Sequence, residues 1–331
     1  MDDRMITRRK LVLALGAGAF APLASFAQQQ PAKVYRIGFL GAESAFGFAS
    51  YVEALRAGLR DLGYVEGKNI VIEFRWGEGK YDRLPGLAAE LVRLKVDVLV
   101  TQGTPGTRAA KQATTTIPIV MATSADAVAT GLVAGLARPE GNVTGSTYFG
   151  PELAAKRLEL LKDAMPRVTK VAVLLNPDNP VNGPNLQAMV TAAKLLKLDL
   201  QQFEARGPNE FDSAFAAMAK KRVDAVTINE DAIFTSNPRA IAEFATKQRL
   251  PLIGFTEFAE AGGLLSYGVN RIEMYRRAAY FVDKILRGAN PGDLPIERPT
   301  KFELVINMKT AKALGIKIPG SILLRATNVI E

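Results

Sequence analysis

Two halves of this chain are written in the same order, and that repetition restricts the fold more than any other feature. From Val34 onward, short β-branched runs alternate with longer helical patterns, the signature of βαβ units that feed parallel sheets. In the first half the strand segments are 34–40, 70–76, 96–101, 119–122 and 143–146. Between the first two, Val52, Leu55, Leu59 and Leu62 make one apolar helical stripe. The scheme restarts at 171–175 and continues through 200–205, 225–228, 252–255 and 264–267. Landmarks recur at matching places. Lys95-Val96-Asp97 answers Arg222-Val223-Asp224, and Ile117-Pro118-Ile119-Val120 answers Leu250-Pro251-Leu252-Ile253. In both halves a proline opens a short buried strand, where its missing N–H does little harm. A chain of this length exceeds what one hydrophobic core normally holds, roughly 250–300 residues. Two similar α/β lobes are therefore expected, not one large sheet. A last helix (Met274, Ala278, Phe281, Ile285) and the run 302–307 follow the second series and belong naturally to neither lobe. The chain must then cross between lobes again, which makes a hinge and leaves a cleft.

The first 27 residues bear on where the protein works. Arg4, Arg8, Arg9 and Lys10 precede an apolar stretch from Leu11 to Ala21, and Ser25-Phe26-Ala27 places small residues before a cleavage point at Gln28. This reads as a secretory signal peptide over 1–27. The stretch is shorter than the roughly 20 apolar residues of a membrane span. Thr7-Arg8-Arg9-Lys10-Leu11-Val12-Leu13 also resembles a twin-arginine export signal, with Leu11 where phenylalanine is usual. A periplasmic location is expected.

Composition excludes several kinds of chemistry. The chain has no Cys and no His, so disulfides, a lipid-bearing cysteine, His-ligated zinc and Ser-His-Asp catalysis are all ruled out. No metal and no cofactor are expected. The net charge is +9, but the bases are interleaved with acids, as in Lys156-Arg157-Leu158-Glu159, which reads as a solvated surface and not a nucleic-acid footprint. Gly103-Thr104-Pro105-Gly106-Thr107-Arg108 follows a strand but lacks the ending of a phosphate-binding loop.

In open parallel α/β sheets, ligands bind beyond the carboxyl ends of the strands. Those ends supply Ser44, Gln102, Gly103, Thr104, Thr123, Ser124 and Asp126 in the first half, and Asn176, Asn229, Glu230, Phe255, Glu257 and Tyr267 in the second. The set suits a small zwitterion. Ser44, Thr104 and Ser124, each placed before a helical stretch, are assigned to a carboxylate, which the helix dipole favours. Asp126, Glu230 or Glu257 supplies an acceptor for an ammonium. Tyr148, Phe149, Phe255 and Tyr267 wall an apolar side chain. Taken singly, a Ser or Thr in such a place is as readily an ordinary helix cap.

Several segments carry a family resemblance: Ile37-Gly38-Phe39-Leu40, the run from Gly58 to Asn69, Pro118-Ile119-Val120-Met121, the run from Leu136 to Gly145, and Ala172-Val173-Leu174-Leu175-Asn176-Pro177. The chain resembles the tryptophan/tyrosine-type substrate-binding proteins of ABC importers. That resemblance implies a type I periplasmic binding fold: two Rossmann-like lobes with parallel sheets and three crossovers. The first lobe would comprise 33–147 plus 268–292, and the second 148–267 plus 293–331. It further implies a monomeric receptor that closes on a small, amino-acid-like solute and delivers it to an ABC permease in the inner membrane. Of the strand-end residues it best supports Ser44, Gln102–Thr104, Thr123–Asp126 and Asn176. Asp126-Ala127-Val128 stands where the family often shows Asp-Pro-Val. Two other readings remain open: a carboxylate-based hydrolase in the same cleft, and the sensor half of a repressor, which would carry a helix-turn-helix in place of an export signal.

Overall fold

The computed structural model describes residues 33–331, so the signal-peptide reading of 1–27 lies outside the described residues. Two sheets organise the chain. The first contains β1 (Tyr35–Gly41), β2 (Ile70–Trp76), β3 (Val98–Gln102), β4 (Ile119–Thr123) and β5 (Val143–Gly145) in the order β2-β1-β3-β4-β5, all parallel. The helices α1 (Ala49–Asp61), α2 (Leu84–Arg93) and α3 (Gly103–Ala113) connect these strands. After α4 (Gly150–Ala164), the second sheet takes β6 (Lys170–Leu175), β7 (Asp199–Glu204), β8 (Ala225–Ile228), β9 (Leu252–Gly254) and β10 (Leu265–Val269). Its helices are α5 (Asn182–Leu196), α6 (Pro208–Lys221), α7 (Ala232–Ser236), α8 (Pro238–Lys247) and α9 (Glu257–Glu260). The chain then returns through α10 (Arg271–Leu286), β11 (Phe302–Asn307), α11 (Met308–Leu314), α12 (Gly320–Leu323) and β12 (Asn328–Ile330). The order β12-β11-β10-β9-β8-β6-β7 is parallel except where β11 runs antiparallel to β10. Two α/β lobes with mainly parallel sheets result. The single antiparallel pair and β12 are absent from the periodicity, because both are set by where the chain re-enters the second sheet.

The repeated landmarks have one physical job each. Lys95 and Arg222 adopt left-handed conformations (φ 51° and 52°), so each ends the helical segment before it and turns the chain toward a strand. The aspartates that follow then clamp the start of the neighbouring strand. Asp97 Oδ2 accepts the Arg36 N–H at 2.7 Å, and Asp224 Oδ2 accepts the N–H groups of Thr169 and Lys170, both at 2.8 Å. Burial by itself would raise the Asp224 carboxyl, but those two N–H groups and the Thr169 hydroxyl outweigh it and hold the pKa below 3.8. The two prolines also act alike: Pro118 O accepts from Leu99 N at 2.8 Å and Pro251 O from Val226 N at 2.9 Å.

Helix α10 settles which lobe the last helix serves. Its Tyr275, Ala278, Phe281 and Val282 are buried in one cluster with Phe39, Leu55 and Leu59 of the first lobe. Gly58 lets α1 and α10 approach this closely, since a Cβ there would sit 2.5 Å from the Arg276 carbonyl oxygen. Leu304 and Ile306 of β11 join the core around Val173 and Leu265. The lobes are therefore connected by three segments, near residues 146–149, 270 and 294–301. The first and third run side by side, with Thr147 N donating to Glu297 O and Glu297 N to Gly145 O, both at 2.9 Å.

Candidate functional site

The carboxyl ends of both sheets meet at a cavity of about 40 Å³. That is room for a few waters, each of which needs roughly 10–15 Å³ of such space. From the first lobe it is lined by Phe48, Tyr81 and the start of α3, and from the second by Tyr148, Asn179, Glu230 and Asp231, with Arg271 from the connecting segment. Hydrogen bonds span the lobes directly. Tyr81 OH donates to Asp231 Oδ2 at 2.9 Å, and Tyr51 OH donates to Glu257 Oε1. These bonds hold the inner part of the cleft together, and a larger cavity of about 330 Å³, lined by Tyr81 and Pro105 from one side and Pro177 and Asn179 from the other, adjoins it.

The site pairs a positive rim with buried acids. Gln102, Gly103, Thr104 and Pro105 line the cavity at the positive end of α3. Gln102 does not cap that end, because its carboxamide oxygen accepts the Ala42 N–H at 2.9 Å. Behind it the Thr104 hydroxyl lies 3.1 Å from that of Ser124. Thr123 Oγ1 is buried and has no hydrogen-bond partner among the described residues.

On the opposite wall two adjacent acids diverge. Asp231 Oδ1 accepts the Ile233 N–H at 2.7 Å, and Oδ2 accepts from Asn179 Nδ2 at 2.8 Å as well as from Tyr81. All three donors are neutral. Burial consequently raises its pKa above 3.8. Burial also lifts Glu43 above 4.5, with the Asp231 charge adding to the rise.

Glu230 turns the other way. Its Oε1 accepts from Arg157 Nη2 at 2.8 Å and lies 3.7 Å from Arg271 Nη2, while Oε2 has no partner among the described residues. Arg271 also holds both oxygens of Glu257, at 3.1 and 3.0 Å. Burial alone would lower Arg271, but the charges of Glu257 and Glu230 outweigh it and hold the guanidinium above its ordinary value. The ring of Phe255 lies under both guanidiniums, 4.4 Å from Arg271 and 5.6 Å from Arg157, within cation–π range.

Of the strand-end residues singled out by sequence, Gln102, Gly103, Thr104, Thr123 and Glu230 line the cavity. Phe255, Glu257 and Ser124 stand one layer behind it, in contact with Arg271 or Thr104. The others have local work. Ser44 Oγ accepts the Gly47 N–H at 3.2 Å. Asp126 Oδ1 accepts from Val128 and Ala129, both at 3.0 Å, closing a turn where a helix was expected after Ser124. Asn176 Oδ1 accepts from Asp178 N at 3.1 Å, and Asn229 bonds Asn185 and Asn182 at 2.9 and 2.6 Å. Tyr267 does not end its strand. β10 runs on to Val269, and the Tyr267 ring stacks on Phe302 at 6.1 Å. Sequence reasoning missed Phe48, Tyr81, Asn179 and Arg271, which come from loops and a crossover. Asp231 had a visible signal, since it follows Glu230 at the same strand end.

With this geometry in view, the comparisons with known proteins decide the family. The sequence profile described as ABC transporter substrate binding protein matches residues 45–330. The chain belongs to this family. Among relatives of this ABC substrate-binding protein, a tyrosine-binding protein of Clostridioides difficile is 28% identical over 261 residues, covering 78% of this chain and 74% of the relative. A solved ABC domain from Streptococcus pneumoniae in complex with L-Trp is 27% identical, with a TM-score of 0.82 over 90% of this chain and 100% of that one. A conserved domain protein of Vibrio cholerae is 29% identical, with a TM-score of 0.84 over the same shares. These neighbours share the two-lobed type I periplasmic binding fold described above.

Proposed function

We propose that the protein is a periplasmic receptor for a free aromatic amino acid, which it delivers to an ABC permease by closing its lobes on the solute. The observation that carries this reading is the pairing, in one cleft, of the positive end of α3 with two buried acids: Asp231, whose three donors are all neutral, and Glu230, whose Oε2 has no partner among the described residues. A carboxylate placed at α3 meets the helix dipole and the Thr123 hydroxyl. An ammonium placed on the opposite wall meets either the Asp231 charge, which neutral donors leave uncompensated, or Glu230 Oε2, the two acids facing different ways. Phe48, Tyr81 and Tyr148 give that solute aromatic walls. The relatives described as binding tyrosine and L-Trp support the same class of ligand. Closing the lobes adds contacts from the second wall, so the closed form binds more tightly and the solute shifts the population toward it.

Calorimetry on the purified protein, freed of bound solute, tests this. L-Trp, L-Tyr or L-Phe is expected to bind, and the N-acetyl derivative of the best ligand is not. Equal binding of the acetylated compound removes the ammonium from the argument. Asp231→Asn is expected to weaken the best ligand by about 1.5–3 kcal/mol, the range for a hydrogen bond to a charged group. Ligand recovered chemically unchanged separates this reading from a hydrolase in the same cleft.

Acidification is expected to act in opposite directions on affinity and on stability. Folded Asp231 and Glu43 have raised pKa values, so on acidification each gains its proton in the folded chain before the unfolded one. Their contribution to stability therefore grows as pH falls through the raised values, is complete below 3.8 and 4.5, and is lost as pH rises again. Binding of an amine weakens over the same interval as the Asp231 charge disappears. Melting temperature against pH, compared with Asp231→Asn/Glu43→Gln, reads the first effect, and calorimetry at two pH values reads the second. A double variant with the wild-type pH profile contradicts the assignment.

A further inference from the structure

Another cavity, of about 290 Å³, lies on the hinge. It is lined by residues from all three connecting segments, Ser146 from the first, Asn270 from the second and Glu297 to Lys301 from the third, together with Glu273, Met274 and Arg277 of α10. A molecule held there touches residues of each segment that joins the lobes.

Its charges are not balanced. Arg277 and Glu297 cancel each other in a two-pronged pair at 2.8 and 2.7 Å. That leaves Arg298 and Lys301 against Glu273. The Arg298 Cζ lies over Phe149, 4.3 Å from the ring centre, and among the described residues its nearest carboxylate is Asp126, at 4.0 Å. Its Nε is buried and has no acceptor among the described residues, an uncommon state for a donor in a folded protein. Lys301 is exposed at the rim. Met274 and Pro299 supply apolar surface beside them. A planar anion with an apolar body fits this combination, since a guanidinium prefers a flat carboxylate that its fork can match.

We propose that this cavity is an effector site for a small carboxylate-bearing molecule, and that its occupant biases the angle between the lobes. The site is separate from the cleft, and its chemistry does not depend on which solute the cleft takes. An occupant that fits one arrangement of the three segments better than another shifts the open–closed equilibrium by that difference in affinity.

Benzoate serves as the probe and benzamide as its neutral counterpart, on protein freed of cleft solute. Calorimetry is expected to show benzoate binding without benzamide binding. Arg298→Gln and Lys301→Gln are each expected to weaken benzoate at least about tenfold. With methyl-labelled methionine, benzoate is expected to shift the Met274 resonance, assigned with Met274→Leu. Small-angle scattering is expected to show a change in radius of gyration on saturation with benzoate, lost in Arg298→Gln. Melting curves of both Gln variants check that they fold. Equal binding of benzamide, unchanged affinity in a folded Arg298→Gln, or an unmoved Met274 methyl overturns the site. Binding with an unchanged radius of gyration overturns the coupling to the lobes.

Discussion

Glu230→Gln is expected to cost about 3–5 kcal/mol of stability, the usual penalty for removing one partner from a buried ion pair. The reason is Arg157. Its side chain is wholly buried (0% exposed) and has one close carboxylate partner, Glu230 Oε1 at 2.8 Å. Its other hydrogen bond, from Nε to the Tyr267 carbonyl at 2.8 Å, brings no countercharge, and its Nη1 has no partner among the described residues. Arg271 cannot compensate, being itself a cation held by Glu257. Neutralising Glu230 thus strands a positive charge in the interior of the second lobe. Removing both charges should not, because two buried ions cost as much to desolvate as they gain from each other. Arg157→Met/Glu230→Met is therefore expected to recover most of the loss in a urea titration. It should still bind the cleft solute poorly, since Glu230 Oε2 is gone. A Glu230→Gln variant within about 1 kcal/mol of wild type would show that the pair carries no such burden.

Gly145→Ala is expected to cost about 3 kcal/mol or more, because backbone strain and a collision occur at the same place. Gly145 has φ of +122° and pairs with Met121 across β4 and β5. A Cβ there would lie 2.3 Å from the Met121 carbonyl oxygen and 2.6 Å from its nitrogen. Backbone atoms in a ladder cannot move aside as a flexible side chain does. The strand end also leads directly into the first connecting segment, where Glu297 N donates to Gly145 O at 2.9 Å. The substitution should therefore loosen the hinge as well as the sheet, and hydrogen exchange should speed up at Ser146 and Glu297. A variant that melts with wild-type stability would mean that β5 can shift away from β4 at little cost.

The two effects differ in how far the sequence announces them. Gly145 lies in a run that carries the family resemblance, but nothing in the run says that Met121 is opposite. Arg157 reads as one charge among several on an amphipathic helix, and Lys156, Glu159 and Lys162 around it do stay at least partly exposed. Only the approach of β8 and β10 to α4 turns that arginine inward, against Glu230 and the Tyr267 carbonyl. The strand-end rule follows from sheet geometry alone, and five of the residues it names line the cavity between the lobes. Asp126 and Ser44 do not line that cavity, and their side chains satisfy local N–H groups, a use that Ser and Asp serve in any turn.

What the sequence by itself determined was the pair of lobes and their strand order within each series. Apolar periodicity and the matching landmarks are local signals, and Asp97 with Asp224, or Pro118 with Pro251, act on strands that are close neighbours in their own sheet. The tertiary structure alone decided which lobe α10 serves, the antiparallel entry of β11, and the makeup of the cleft from Tyr81, Asn179, Asp231 and Arg271. Those features depend on contacts between residues far apart in the chain, 150 positions for Tyr81 and Asp231 and 206 for Tyr51 and Glu257. No window of local pattern reports such a meeting. It is fixed when buried acids and arginines from distant segments must find partners in a closed interior.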